Sequence, residues 1–513
     1  MLYFKLLIKN KTIILMFLLV TVFAFLLRYI NLTSIPVFAD EAIYIRWAQV
    51  MKAESTLRFL PLSDGKQPLF MWSVIPMLKI FSDPLVAGRM VSLLSGVGTL
   101  LGVSALSYIL FKSRRAALVT ALIYTVSPFA ILFDRLALVD SMLAMFGVWT
   151  AVFSILAVRN IRLDMAMLSG FALGGAALTK SPALFFAIFT PTAILFAKLP
   201  KKISKQVELL LKLIGLWGVT FSIAFAMHNI LRLGPNFHMI GSRNLDYVYP
   251  LSHIFDTPLD PFLPHLDRAL EWMRILGPEL LLFFVFFGAI RNFSLKKKEL
   301  IFLIVWSLMP ILINSEYAKV FTARYIYFAV PFLYVLAGSS FAQKISGVGK
   351  SMMYLLLGIY VVHSLFSGIT LIASPENARL PRSERSGYLE EWTAGTGIKE
   401  SADYILEEHN SNPDVPIVVG TEGYFGTLPD GLQIYLQNVP NVTVIGIGLG
   451  INQIPIQLQE SHEAGNATYM VANQSRMNFN GSFEDNGFEV IKKYKKATNP
   501  EGEVDYLYLL KVL

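Results

Sequence analysis

The chain has 513 residues, of which 54% are hydrophobic and only 16% are charged, and its mean hydropathy is +0.54. These values exclude an ordinary soluble globular protein and indicate a polytopic membrane protein that lies in a lipid bilayer. The net charge of +8 does not indicate a nucleic-acid partner, because the basic residues stand in short clusters between apolar segments, and the lack of cysteine excludes disulfides and thiol chemistry.

Eleven apolar segments are predicted to cross the membrane as helices. In chain order they are 12–30, 85–111, 116–133, 137–158, 165–179, 182–198, 207–228, 276–290, 300–314, 325–342 and 352–373. Basic clusters follow alternate spans, so the positive-inside rule places the N-terminus, with Lys5 and Lys9, in the cytoplasm. We therefore expect an integral plasma membrane protein whose residues from about 374 onward are extracytoplasmic.

The apolar segment 68–81 is predicted to lie at the membrane interface rather than to cross the bilayer. It contains Pro68, Pro76 and Lys79, and a crossing here would move every later basic cluster to the outer side.

Two predicted domains follow from this topology. Residues 1–373 form a helical transmembrane domain with outer loops at 31–84 and 229–275, and residues 374–513 form a small extracytoplasmic α/β domain. The tail alternates apolar runs typical of strands with helical patterns. Strands are predicted at 417–420, 442–447, 467–472 and 504–512, and helices at 398–409 and 428–437. The glycine-rich run 446–450 lacks the third glycine of a dinucleotide fingerprint and is predicted to be a turn.

Two adjacent acids, Asp40 and Glu41, follow directly after the first predicted span. Charged side chains are costly near hydrocarbon, so acids at this position are candidate functional residues. An alternative is purely structural: Asp40 would be the N-cap of a surface helix, with Glu41 favourable in its first turn.

Further charged residues are predicted on the outer side of the membrane, where topology does not require them. They are Lys66, Asp134, Arg135, Asp140, Lys180 and Arg324. Cations at membrane depth with carboxylates nearby are suited to a lipid-linked phosphate. The alternatives are that Lys180 and Arg324 extend from helix ends to the interface, that Asp134 and Arg135 form a surface pair, and that Asp140 is buried against Arg135.

No cofactor is predicted. The loop 229–275 holds histidines and aspartates, but without the tight spacing of a metal site, so a divalent metal is the weaker alternative. These residues are His238, Asp246, His253, Asp256, Asp260, His265 and Asp267.

Five short motifs between residues 39 and 332 resemble the dolichyl-phosphate-mannose protein O-mannosyltransferases and the related lipid A aminoarabinose transferases. DRLALVDSMLAMF at 134–146 resembles an Arg–x4–Asp–Ser–Met–Leu stretch, and ADEAIY at 39–44 an acidic pair that begins the first outer loop. DGKQPLFMW at 64–72 is similar to a Gly–Lys–Pro–Pro–Leu segment, LTKSP at 178–182 to Thr–Lys–Gly–Pro, and ARYIYFAVPF at 323–332 to a late Arg–Tyr helix start. Gln67 and Ser181 depart from these patterns, which have proline and glycine there.

The resemblance implies a GT-C glycosyltransferase that uses a polyprenyl-phosphate sugar and acts on an extracytoplasmic acceptor. It implies that Asp40 is the general base, assisted by Glu41, and that attack inverts the anomeric centre. It also implies that Lys66, Arg135, Lys180 and Arg324 bind the donor phosphate. Asp134, Asp140 and Tyr325 would support the site. The chain lacks the large inserted lumenal domain of eukaryotic protein mannosyltransferases, which weakens protein as the acceptor.

Two other classes of protein remain as alternatives. A transporter or lipid flippase would also place charges at membrane depth, but it should show paired repeats and broken helices at mid-membrane. A surface receptor or scaffold would act through residues 374–513 and use the helices as an anchor.

Overall fold

The computed structural model describes residues 11–344 and 346–513, so Lys5 and Lys9 lie outside the described residues. The chain forms two compact units. The first contains the residues up to Ile30 together with Thr56–Ser73 and Met90–Ile372. The second contains Asn31–Ser55, Val74–Arg89 and Ala373–Leu513, so it combines the tail with two segments of the predicted outer loop 31–84.

Long apolar helices dominate the first unit. In the described part of the chain, six helices are long and apolar enough to cross a membrane, and a seventh span results if a pair of helices bent by 107° is taken as one. The six are Lys11–Tyr29, Pro84–Phe111 (which begins in the second unit), Asp140–Asn160, Ile203–Leu233, Lys297–Tyr317 and Gly347–Ala373, and the bent pair is Phe262–Ile275 with Pro278–Asn292. The described residues are therefore mostly helical and contain six or seven apolar spans.

The other predicted spans are shorter or broken helices. The span 116–133 is divided into Arg114–Val126 and Pro128–Phe133, because Pro128 has no N–H to continue the backbone hydrogen bonds. The helix Leu163–Thr179 is short, and the one that starts at Ala183 continues after Phe189 as a 3-10 turn. The remaining helices of this unit are Met239–Tyr247, His253–Asp256 and Val330–Gly338, the last after a 3-10 segment Ala323–Ala329.

The segment that was predicted to lie at the interface forms only the helix Leu69–Met77. At about 1.5 Å per residue its nine residues extend about 14 Å, far less than the roughly 30 Å of a hydrocarbon core. Pro76, which has no backbone N–H to donate, stands in its last turn. The helix is thus too short to cross a bilayer.

The second unit holds a five-stranded sheet. Its strands are β1 (Ile417–Thr421), β2 (Val442–Gly446), β3 (Ala467–Asn473), β4 (Phe488–Lys495) and β5 (Tyr506–Val512). The spatial order is β2-β1-β3-β5-β4, in which β1 is parallel to β2 and β3, and β5 is antiparallel to β3 and β4. All four predicted strands are present. β4 was not predicted because the run FEVIKKYK is rich in lysine, which is typical of an exposed edge strand.

The helices Ile398–Ser411 and Asp430–Leu436 match the two helices that were predicted in the tail. The second unit also contains the helices Ala39–Ala53, Arg382–Arg385 and Ile456–Glu463. One core of the sheet is formed by Leu458, Met470, Phe488 and Leu510, all fully buried. Gly448 and Gly450 have φ angles of 101° and 67°, so the glycine-rich run after β2 is a turn, as predicted.

Candidate functional site

The acidic pair lies in the first turn of the helix Ala39–Ala53, in the second unit. Phe38 occupies the N-cap position, and Asp40 is the second helical residue. The interpretation of Asp40 as an N-cap is therefore wrong. The carboxylate of Glu41 accepts a hydrogen bond from the Phe38 N–H at 3.0 Å, which satisfies one of the donors that a helix N-terminus leaves open.

Glu41 is held by an arginine. Its Oε1 and Oε2 accept hydrogen bonds from Nε and Nη2 of Arg89 at 2.8 and 2.7 Å, and both side chains are fully buried. Arg89 also donates to the carbonyls of Leu32, Ile35 and Pro36, the segment that leads into the helix. Both oxygens of Glu41 are thus engaged in hydrogen bonds within the fold. Sequence reasoning did not select Arg89, although an arginine in an apolar helix is itself a signal.

Asp40 has a different environment. Its side chain is half-buried, whereas that of Glu41 is fully buried. The partial positive charge at the start of the helix favours the ionised form of a carboxylate there. Of the two predicted catalytic acids, Asp40 therefore has the more exposed side chain.

Three of the predicted residues of the first unit lie together, with two cations beside the aromatic ring of Tyr325. The Lys180 Nζ lies 4.6 Å from the centre of the Tyr325 ring, and the Arg324 guanidinium lies 5.1 Å from the same centre. Such distances are typical of cation–π contacts. Lys180 comes directly after the helix Leu163–Thr179 and is about a quarter exposed, with 23% of its side-chain surface accessible.

Asp140 belongs to the same cluster. Its Oδ1 accepts a hydrogen bond from Lys180 Nζ at 2.7 Å, and its side chain is only 3% exposed. Asp140 was predicted to support Arg135, whereas this contact anchors Lys180. We call Asp140, Lys180, Arg324 and Tyr325 the cationic cluster.

The loop that carries Lys66 is tied to the loop that carries Lys180. Gln67 Nε2 donates a hydrogen bond to Ser181 Oγ at 2.9 Å. Gln67 and Ser181 are the two positions that depart from the family motifs, and here they contact each other. Lys66 itself lies over the ring of Tyr247 at 5.1 Å.

We expect the hydrogen bond between Gln67 and Ser181 to appear as a coupling in a double-mutant cycle. Gln67→Leu and Ser181→Ala should each lower the free energy of unfolding, and the double substitution should cost about 0.5–1.5 kcal/mol less than their sum, because the bond is lost only once. Denaturant titration in detergent measures this, with Ser63→Ala, which loses only a local bond to the Leu60 carbonyl, as the control. Additive effects would show that the two loops are not coupled.

Arg135 is almost completely buried, with 1% of its surface exposed. Its Nη1 donates to the carbonyls of Leu27, Arg28 and Ile30 at 2.7–3.3 Å. These carbonyls lie at the C-terminal end of the helix Lys11–Tyr29, where backbone acceptors lack partners within the helix. The contacts indicate that Arg135 holds the end of this helix.

Asp134 is the centre of a buried polar network. Its Oδ2 accepts hydrogen bonds from Arg28 Nε at 2.8 Å and from the Tyr124 hydroxyl at 2.7 Å. Its Oδ1 accepts from the hydroxyls of Ser141 and Tyr327, both at 2.8 Å. Asp134 and Arg28 are both fully buried, so the interpretation of Asp134 as part of a surface pair is wrong.

This network explains why a glycine, Gly96, is present in the long helix Pro84–Phe111. A Cβ at Gly96 would lie 2.4 Å from the Asp134 carboxylate, so only glycine fits against it. Sequence reasoning missed Arg28 and its tyrosine partners. The available signal was an arginine within an apolar span.

The histidines of the loop 229–275 make local contacts. His265 Nδ1 lies 3.1 Å from the Ser315 carbonyl oxygen, and its ring stacks on Phe321. His253 stacks on Tyr249. Within 11–344 and 346–513, no group of three or more histidine, aspartate or glutamate side chains is arranged to hold a metal ion.

A sequence comparison with protein families matches residues 65–224 to the family described as dolichyl-phosphate-mannose-protein mannosyltransferase. The matched segment includes Lys66, Arg135 and Lys180 but ends before Arg324 and begins after Asp40. A comparison with curated proteins finds no match.

The fold is similar to that of known membrane glycosyltransferases. ArnT from Cupriavidus metallidurans bound to undecaprenyl phosphate matches with a TM-score of 0.56 and 15% identity, over 96% of this chain and 97% of ArnT. Its apo structure gives a TM-score of 0.56 and 14% identity, over 98% of each chain. The arabinofuranosyltransferase AftD from Mycobacteria matches with a TM-score of 0.50 and 12% identity, over 96% of this chain and 41% of AftD. The chain thus resembles the GT-C glycosyltransferases in its fold and, over residues 65–224, the mannosyltransferase family in its sequence.

Proposed function

We propose that this protein transfers a sugar from a polyprenyl-phosphate donor to a hydroxyl of an extracytoplasmic acceptor, which is a glycan, a lipid or a protein, with inversion at the anomeric carbon. The proposal is supported by the family match and by the fold shared with ArnT, whose solved structure holds undecaprenyl phosphate.

The cationic cluster is the observation that carries this proposal. Lys180 and Arg324 converge on Tyr325 from distant parts of the chain, and both keep part of their side chains accessible. Two cations that lie close together concentrate positive charge at one place, which favours the binding of an anion such as a phosphate. A phosphate there would be bound more tightly as its negative charge grows during bond cleavage.

In the proposed reaction, Asp40 takes the proton of the acceptor hydroxyl while the hydroxyl oxygen attacks the anomeric carbon. The bond from that carbon to the phosphate oxygen breaks, and polyprenyl phosphate leaves with its electron pair. Glu41 fixes the first turn of the helix that presents Asp40, through its double hydrogen bond with Arg89. Attack from the face opposite the leaving phosphate inverts the configuration.

The other predicted phosphate ligands receive different proposed roles. Lys66 remains a proposed phosphate ligand. The proposal is supported by the hydrogen bond from Gln67 to Ser181, which joins the residue after Lys66 to the residue after Lys180. For Arg135 we propose a supporting role in place of the predicted phosphate contact, because it is buried and donates to three backbone carbonyls. Asp134 supports the same region by holding Arg28.

The proposed topology keeps eleven crossings, with the N-terminus in the cytoplasm and residues 374–513 outside as a small α/β domain. It is supported by the alternation of basic clusters along the sequence and by helical structure in each of the eleven segments. The five shorter segments would cross as short or broken helices.

The direct test is an assay of purified protein with a panel of polyprenyl-phosphate sugars, in which release of free polyprenyl phosphate is measured with and without acceptor glycans and lipids. We expect at least one donor to lose its sugar to an acceptor. A transporter or flippase would move these lipids and leave the sugar–phosphate bond intact, which would contradict the proposal.

Arg324→Met is expected to weaken donor binding. Loss of a charged partner from a largely desolvated site costs on the order of 2–5 kcal/mol, which is about 30-fold or more in the donor Kd. Arg324→Lys should recover part of the affinity, since it keeps the charge but not the planar fork. Binding is measured in nanodiscs with the donor found above.

The matched control for this experiment is Arg162→Met, because Arg162 forms an exposed pair with Asp164. Its donor Kd should equal that of the wild type. If Arg324→Met also bound the donor like the wild type, the cationic cluster would be structural and the phosphate would be held elsewhere.

A further inference from the structure

The second unit contains a cavity of about 650 Å³ that the proposed reaction does not use. It is lined by the C-terminal half of the helix Ala39–Ala53, by the segment 78–84 and by residues of the helices Ile398–Ser411 and Asp430–Leu436. Its volume lies within the range of cavities that bind small molecules.

Two glutamines that line this cavity each have a buried side-chain oxygen without a hydrogen-bond partner among the described residues. Gln49 is only 8% exposed, and its Nε2 donates to the Ile434 carbonyl at 2.8 Å, which fixes the amide. Its Oε1 has no partner among the described residues, and the same holds for Oε1 of Gln437. A buried acceptor that is left unpaired is costly, so a donor from a ligand or from water would stabilise both side chains.

The charges around the cavity cancel. Two lysines and two aspartates line it, namely Lys52, Asp83, Lys399 and Asp403. Lys399 is already paired with Asp403 at 3.1 Å, and Lys52 Nζ donates to the Leu78 carbonyl. A strongly anionic or cationic ligand would find no complementary excess of charge here, so the ligand is expected to be neutral.

Tyr435 adds an aromatic surface and a hydrogen-bond donor. Burial, reinforced by the nearby Asp83, raises the pKa of Tyr435, so its phenol stays protonated at physiological pH. An aromatic ring beside unpaired amide acceptors and neutralised charges is suited to a ligand with apolar C–H faces and many hydroxyl donors. These are the properties of a sugar chain.

We propose that this cavity binds a short neutral oligosaccharide that forms part of the acceptor. Gln49 and Asp40 lie on the same helix nine residues apart, which is about 14 Å at the rise of an α-helix. A glycan bound in the cavity would thus lie within the length of a short chain from the proposed base. This inference rests on the proposed function for its role in the reaction, but the binding itself is measured without a donor.

The test uses full-length protein in nanodiscs and an array of neutral oligosaccharides of three to six sugars built from mannose, glucose, galactose and N-acetylglucosamine. Wild-type protein should bind at least one class of array glycan. Gln437→Leu, which keeps the shape and removes the unpaired acceptor, should weaken that binding by about three- to tenfold. Gln459→Leu, the same change on the exposed helix Ile456–Glu463, should bind like the wild type.

Ala53→Trp provides a second test, because Ala53 lines the cavity at an exposed helix end where a large side chain can be added without disturbing the core. It should abolish glycan binding. Failure of the wild type to bind any array glycan, or equal binding by all variants, would overturn the proposal and indicate that the cavity contains only water. Because no donor is present, a failed transfer assay would leave these results unaffected.

Discussion

Asp40→Asn is expected to reduce sugar transfer by about 10²–10⁴-fold, the usual contribution of a positioned general base. The amide keeps the size of the side chain but cannot accept a proton, so donor binding should remain close to that of the wild type. Turnover and donor Kd are measured side by side on protein in nanodiscs.

Asp414→Asn is the matched control, since Asp414 is an exposed carboxylate of the second unit. Wild-type turnover by Asp40→Asn would remove Asp40 as the base. Glu41→Gln should instead lower the free energy of unfolding, because it weakens the buried ion pair with Arg89. If Glu41→Gln lost turnover in a well-folded protein while Asp40→Asn kept it, Glu41 would be the base and Asp40 the supporting residue.

Arg28→Met is expected to cause the largest loss of stability among the substitutions considered. It leaves the buried Asp134 carboxylate without its cation, and breaking a buried ion pair in this way costs about 3–5 kcal/mol. Asp134→Asn added to Arg28→Met should recover part of this loss, because the amide removes the uncompensated charge. Unfolding in detergent is followed by denaturant titration.

Arg115→Met serves as the control, because Arg115 is exposed after the span that ends at Phe111. It should unfold like the wild type. If Arg28→Met were equally stable, or if Asp134→Asn made it worse, the network around Asp134 would not hold the first unit together.

Helices and strands were largely predictable because their patterns are local. Apolar runs such as 12–30 and 207–228 became long helices, and the four apolar runs of the tail became strands of one sheet. β4 was not predicted because its lysines interrupt the alternation of apolar and polar residues that is typical of a strand. The predicted span 116–133 is divided into two helices at Pro128. The positions and lengths of most helices and strands could therefore be predicted without knowledge of distant residues. The exceptions are the edge strand β4 and the broken span 116–133.

The candidate residues were also selected from the sequence, since charged side chains beside apolar spans are costly and therefore conspicuous. Asp40, Lys180 and Arg324 stood out in this way, and the motifs around them indicated the class of chemistry. Their individual roles in transfer stay predictions until the variants above are measured.

Tertiary structure alone decided which charges pair. Arg28 is 106 residues from Asp134 along the chain, and Glu41 is 48 residues from Arg89. No local pattern relates such positions, because ion pairing depends on how whole helices pack and on which polar groups that packing buries. The sequence by itself determined a helical membrane protein with a mixed α/β tail and a set of charged candidates. Packing then buried Asp134, Arg135 and Glu41 and left Asp40, Lys180 and Arg324 partly accessible. The reason is physical: a charge can be buried only where the fold supplies groups that neutralise it, and groups distant in the chain meet only when the helices pack.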